Sequence, residues 1–175
     1  MMEVQTKPRY KKKEIKLAPI YSKCLSTKRV SLPIKSIGRN VTDMLEKKIT
    51  MMIEGKCLVE GFVRPKSTKI VTHSSGIIQG DVILFEVLIE CEVCFPVEGM
   101  LISCIAKNIT KAGVRAVSAD DDLSPVVVFI ARDHHYASSQ FANIQEGDKF
   151  LAKVIGQRFE LNDKYVSVIA EYNGN

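Results

Sequence analysis

The chain has 175 residues, 46% of them hydrophobic and 26% charged, enough to bury a core in one large or two small domains, which excludes disorder throughout. Its formal net charge is +5, but residues 1–40 carry eleven Lys and Arg against two acids, while residues 41–175 carry fourteen against eighteen. The basicity belongs to the front of the chain, which argues against a molecule whose whole surface is a nucleic-acid footprint and fits a basic arm on a globular body.

No uncharged stretch approaches the roughly 20 apolar residues that cross a bilayer, so no membrane partner is expected. Residues 1–16 lack the apolar segment of a secretory signal, so an intracellular protein is expected. The five cysteines, Cys24, Cys57, Cys91, Cys94 and Cys104, are odd in number without an export signal, which fits reduced thiols.

Residues 1–16 include the run Lys11-Lys12-Lys13 and few apolar side chains, so they read as a basic extension that buries little. From Ile34 the apolar residues Ile37, Val41, Met44, Leu45 and Ile49 recur at helical spacing, which predicts one amphipathic helix over about 33–50, started by Pro33 and ended before Gly55. Beyond Gly55 the character turns to β, with strands expected over 56–63, 68–73, 81–94, 99–107, 113–118, 125–131, 149–160 and 164–171. In 81–94, Ile83, Phe85, Val87, Ile89, Cys91 and Val93 share one face and Glu86, Glu90 and Glu92 the other, the pattern of a long half-buried antiparallel strand. Phe95-Pro96 interrupts it, and Pro96 marks the expected junction between a unit over 17–95 and another over 96–175. Asn162-Asp163 reads as a turn between the last two strands. There is no alternation of strand and helix, so the nucleotide-binding α/β folds are set aside.

No motif supports independent catalysis, and no cofactor or metal is expected. Cys91 and Cys94 have half of a zinc-site spacing, but residues three apart on a strand point to opposite faces, so core thiols are the better reading. His134-His135 lacks a companion motif and reads as a loop pair, and Asp120-Asp121-Asp122 as a polar hairpin tip. The second unit shows five strands with glycines at the entries of the first, second and fourth, Gly99, Gly113 and Gly147, which is the pattern of an OB-fold, a small Greek-key barrel that binds single-stranded nucleic acid. The fold class expected is therefore α+β, mostly β: one helix with an antiparallel sheet, then a five-stranded OB-fold barrel.

The order of several short elements resembles the stalk subunit of multi-subunit DNA-directed RNA polymerases, the seventh subunit of the eukaryotic enzymes and its archaeal counterpart. The elements are Ile53-Glu54-Gly55-Lys56-Cys57, Gly76-Ile77-Ile78-Gln79, Pro96-Val97-Glu98-Gly99, Lys111-Ala112-Gly113-Val114, Phe129-Ile130-Ala131-Arg132, Glu146-Gly147-Asp148 and Lys153-Val154-Ile155-Gly156, spread over about 31–171. The resemblance implies a non-catalytic subunit whose N-terminal tip domain docks on the polymerase core, whose OB-fold contacts nascent single-stranded RNA or initiation factors, and which pairs with a small helical stalk partner. It implies a nuclear or cytoplasmic location, or a virion if the gene is viral. The extension 1–16 lies outside the resemblance. The position after Val114, often aromatic in such barrels, is Arg115.

Within this frame the candidate RNA contacts are Lys107, Lys111, Arg115, Arg132 and Lys153, with Phe129 and His134 as stacking or edge contacts. Phe129 continues the run Val126-Val127-Val128 and fits a core position more readily than an exposed platform. The candidate polymerase-docking residues lie in two loops, Arg64, Pro65 and Lys66 in one and His73, Gly76 and Gln79 in the other. The competing expectations are a free-standing OB-fold RNA-binding protein of translation or RNA decay, and a scaffold that touches no nucleic acid.

Overall fold

The computed structural model describes residue 17 and residues 19–38, 40–119, 124–135 and 138–174. The basic extension and Asp120, Asp121 and Asp122 lie outside them.

The chain is mostly β, and its strands form one six-stranded sheet and one closed barrel. The sheet is built on the long strand foreseen from alternation. Strands β1 (Tyr21–Pro33), β2 (Cys57–Leu58), β3 (Gly61–Val63), β4 (Lys69–His73), β5 (Ile77–Gln79) and β6 (Val82–Cys94) all belong to it. β1 runs antiparallel along one edge of β6 through thirteen consecutive pairs, from Tyr21 with Cys94 to Pro33 with Val82. On the other edge β3 pairs with the end of β6, β4 with its middle and β5 with its start.

β1 is the main element that periodicity does not reveal. Its inward positions are Cys24, Ser26, Lys28, Val30 and Leu32, of which only the last two are buried apolar residues. The polar pair is accommodated by Glu60 from the β2–β3 turn, whose Oε1 accepts from Ser26 Oγ and Lys28 Nζ, each at 2.8 Å. Burial pushes the Glu60 pKa up, but those two hydrogen bonds, a backbone hydrogen bond and the Lys28 charge together outweigh it and hold the carboxyl below the usual range.

The helix α1 spans Val41–Ile53 rather than 33–50. Pro33 is the last residue of β1 and Ile34–Ser36 is a 3-10 turn, so the apolar residues Ile34 and Ile37 belong to the crossing and not to the helix. Leu45, Ile49 and Ile53 recur every fourth residue and are buried against Val30, Leu32, Phe85, Val87, Ile89 and Cys91. Gly55, at φ 69°, carries the chain out of the helix. The segment 56–63, expected as one strand, is the β2–β3 hairpin.

The barrel comprises β7 (Leu101–Ile109), β8 (Gly113–Ser118), β9 (Val126–Ala131), β10 (Lys149–Arg158) and β11 (Val166–Tyr172). It closes in the order β7-β8-β9-β11-β10, with β10 returning to β7 and with β9 and β11 parallel. That is the OB-fold connection, with the short helix α2 (Ser139–Ala142) between the third and fourth strands. Phe141 on α2 is buried in the barrel core.

The sheet and the barrel share a core. Phe62 and Cys94 face away from α1 and, with Ile20 and Cys57, are buried in the same cluster as the barrel residues Ile102, Val128 and Val168. The turn before β11 fastens this seam, because Cys57 N–H donates to Asp163 O and Asn162 N–H donates to Cys57 O, both at 2.8 Å. Cys91 faces the α1 side and Cys94 the barrel side, as strand parity required. Burial pushes the Cys91 thiol up to about 11 and that of Cys94 up to about 12, the values of core thiols.

Gly61 sits at φ 122° where β3 meets β6, and a Cβ there would lie 2.5 Å from the Cys94 carbonyl oxygen. Gly61→Ala is therefore expected to lower the unfolding free energy by about 2 kcal/mol or more in denaturant titration, and a loss below about 0.5 kcal/mol would contradict this placement of the hairpin.

Candidate nucleic-acid interface

The outer wall of β7, β8 and β9 gathers most of the residues expected to touch RNA. β8 alternates, with Val114, Ala116 and Ser118 buried and Arg115 exposed, and β9 alternates likewise, with Val126, Val128 and Ile130 buried. Phe129 consequently faces out and is 38% exposed, so it is a surface platform and not the core residue its apolar neighbours suggested. The register sets Arg115 directly opposite Phe129, which brings their Cβ atoms to within about 5.5 Å. A row runs across the barrel from Asn108 through Arg115 and Phe129 to Ile169, which is 55% exposed. An aromatic ring beside a guanidinium offers a base both a stacking surface and a cation. The ring comes from the neighbouring strand rather than from the position Arg115 occupies.

Gly113 makes this arrangement possible. A Cβ at Gly113 would collide with the Ile130 carbonyl oxygen and come within 3.0 Å of the Phe129 ring. Lys107 is exposed beside this wall, at the bulge between Ala106 and Asn108. Lys111 is exposed in the turn that joins β7 to β8. Arg132 has a structural task there, since its Nη2 donates to Thr110 O at 3.2 Å and its backbone N–H to Ala112 O at 2.9 Å. It fixes the turn that presents Lys111. His134 is exposed in the 3-10 turn that follows β9. Lys153 pairs with Leu101 and Glu171 on β10, the strand farthest around the barrel from the β8–β9 junction, so the fold does not bring it to this wall.

His135, expected as half of a loop pair, packs instead at one end of the barrel. Its ring centroid is 4.8 Å from that of Phe141 and 6.4 Å from that of Tyr172, and its Nε2 accepts from Tyr172 N–H at 3.1 Å. That bond requires the neutral ring. Burial is the main cause that holds its pKa below the ordinary value of 6.5, Glu171 opposes it and His134 adds to it.

The two loops expected to dock on a polymerase are both firmly held. Arg64 pairs with Glu92 at 2.7 Å and lies 4.8 Å from the Tyr21 ring centroid. Lys66, at φ 62°, donates its backbone N–H to Glu54 at 2.7 Å, while Pro65 lies against Gly55. Together with Lys23 and Lys69, Arg64 and Lys66 border a groove of about 390 Å³. In the second loop His73 bonds Ser74 O at 2.8 Å, meets Thr42 at 3.4 Å and stacks edge-on against Phe85, on the helix side of the sheet. Gly76 and Gln79 line a separate cavity of about 500 Å³ beside Ile77 and Leu84. The fold thus divides the six docking candidates among different surfaces. Among the described residues no three His, Cys, Asp or Glu side chains are grouped to hold a metal, and no helix is long and apolar enough to cross a membrane.

Arg115→Ala and Phe129→Ala are expected to weaken binding of a single-stranded oligonucleotide by about 5- to 100-fold each in fluorescence anisotropy, with the thermal melt unchanged for Arg115→Ala and only modestly lowered for Phe129→Ala, whose ring packs over Gly113. Lys107, Lys111 and Arg115 give a salt slope of about −2, and a slope near zero would contradict the wall as a phosphate site. For His135, a depressed folded pKa means stability is full above the ordinary value of 6.5 and is lost as pH falls toward the lower folded value. The melting temperature should therefore drop as the pH falls below about 6.5, and His135→Asn, which does not titrate, should flatten that drop.

A protein of Acanthamoeba polyphaga mimivirus, provisionally named a DNA-directed RNA polymerase subunit, is 27% identical to the chain over 157 residues, a match that takes in 80% of this chain and 75% of that protein. No family model matches the chain.

Proposed function

We propose that the chain is a non-catalytic stalk subunit of a DNA-directed RNA polymerase. The observation that carries the reading is a pairing: a closed OB-fold barrel follows a helix-and-sheet unit across a shared core, over a chain similar to a viral protein named a polymerase subunit. In this reading residues 17–95 are a tip domain that docks on the polymerase core, residues 96–175 are an RNA-contacting domain, and residues 1–16 are a basic extension of separate role. The resemblance across 31–171 adds a small helical stalk partner to the polymerase core subunits as partners. The viral relative favours a virus-encoded polymerase, active inside the infected cell and carried in the particle.

The mechanism is one of guidance and not of chemistry. Nascent RNA crosses the wall of β7, β8 and β9, where Phe129 and Arg115 take a base and Lys107 and Lys111 meet phosphates. The turn before β11, which flanks the binding face in many OB-folds, is held to Cys57 by its backbone at Asn162 and Asp163, and in this reading the wall carries the RNA. That leaves a short footprint with few cations, suited to a strand delivered by a large neighbour. Docking falls to the grooves at Arg64, Pro65 and Lys66 and at Gly76 and Gln79.

The exposed wall is also what a free-standing RNA-binding protein of translation or RNA decay would use. Affinity capture of a tagged copy from the native cell separates the two. The stalk reading expects stoichiometric recovery of the large polymerase subunits, and recovery with RNA but without polymerase would refute it.

A further inference from the structure

β1 is an edge strand thirteen residues long, and among the described residues it pairs with β6 alone. At about 3.3 Å per residue, its residues 23–31 present an edge of roughly 30 Å with no partner strand among the described residues. Its ladder continues past Pro33, where Ile34 N–H donates to Asp81 O at 3.0 Å. The even-numbered residues therefore turn their backbone groups toward β6, and the odd-numbered residues from Lys23 to Ser31 turn theirs outward.

Natural edge strands are usually blunted by short length, bulges, proline, charged side chains, inward-pointing ones included, or a covering loop. β1 has an unbroken register, and its proline stands at its last position. Its three cations are already matched inside the chain, Lys23 by Glu90 at 3.2 Å, Lys28 by Glu60 at 2.8 Å and Arg29 by Glu86 at 3.2 Å. Among the described residues the edge is long and regular, and its charges are paired within the chain.

We infer that this edge pairs with a second copy of the same chain, β1 against β1, to extend the sheet across a two-fold axis at Thr27. Thr27 is the midpoint of Tyr21–Pro33, so an antiparallel pair centred there overlaps along its whole length. This register also satisfies the charges. Lys23 falls opposite Ser31, Lys28 opposite Ser26 and Arg29 opposite Leu25, so no cation stands directly opposite another, and Lys23 lies diagonal to the partner's Arg29. On the helix side of the sheet Cys24 meets Val30, and on the other face the two Thr27 residues meet each other, a pair that suits a strand dyad. Each outward residue then finds its hydrogen-bonding counterpart, because odd numbers meet odd numbers. The dimer is independent of the polymerase reading and gives the chain a state outside any larger assembly.

The test is light scattering on the purified full chain during size-exclusion chromatography, over about 1 to 100 μM. A dimer mass that falls to the monomer mass on dilution is expected. Thr27→Pro removes an N–H that β6 does not use, deletes the two bonds at the axis, and should weaken the dimer by about tenfold or more while the circular dichroism spectrum stays the same. Leu25→Arg, at a position 64% exposed, sets an arginine against the partner's Arg29 at both ends and should weaken it similarly, which decides the matter if Thr27→Pro does not fold. A monomer at every concentration, an unchanged dimer in the folded variants, or strand pairing only when a different polypeptide is added would overturn the inference.

Discussion

β6 is the strand on which the molecule depends. Its alternation puts Phe85, Val87, Ile89, Cys91 and Val93 against α1 and leaves Glu86, Glu90 and Glu92 to meet Arg29, Lys23 and Arg64 on the other face. A single thirteen-residue strand then serves β1 on one side and β3, β4 and β5 on the other. Burial of one apolar face drives the arrangement, since exposed ion pairs each contribute little. At its last residue the strand changes duty, because Cys94 points into the barrel core while Val93 still points at the helix.

That change of side couples the two halves. Cys57, Phe62 and Cys94 fill the barrel's end from the sheet, and the turn at Asn162 and Asp163 reaches back to the Cys57 backbone. A loop that OB-folds often use for ligand is used here to hold the sheet. The exposed row on β7, β8, β9 and β11 remains open, and it combines one ring with few cations. In the proposed function this is the surface that takes RNA brought to it by a larger neighbour.

Much of this is legible in the order of residues alone. The strand 81–94, the five barrel strands and the Asn162-Asp163 turn follow from period-two alternation and turn chemistry, and each lies within about two residues of its expected place. β1 is not legible, because Ser26 and Lys28 occupy inward positions and the apolar count stays low. Only Glu60, thirty-odd residues away, makes those positions acceptable. The helix start is displaced for a similar reason, since Ile34 and Ile37 keep helical spacing while the ladder to Val82 holds the chain extended through Pro33.

The sequence by itself determined β6, the five barrel strands, the buried face of the helix and the identity of the cations and rings available to a ligand, since those rest on local periodicity and residue chemistry. Tertiary structure decided which of them meet. Register placed Arg115 against Phe129 and sent Lys153 to the far strand, and hydrogen bonds gave Arg132 to the Thr110 turn and His135 to Tyr172. Pairing between strands distant along the chain is set by the summed burial of both faces, and no short stretch of residues carries that information.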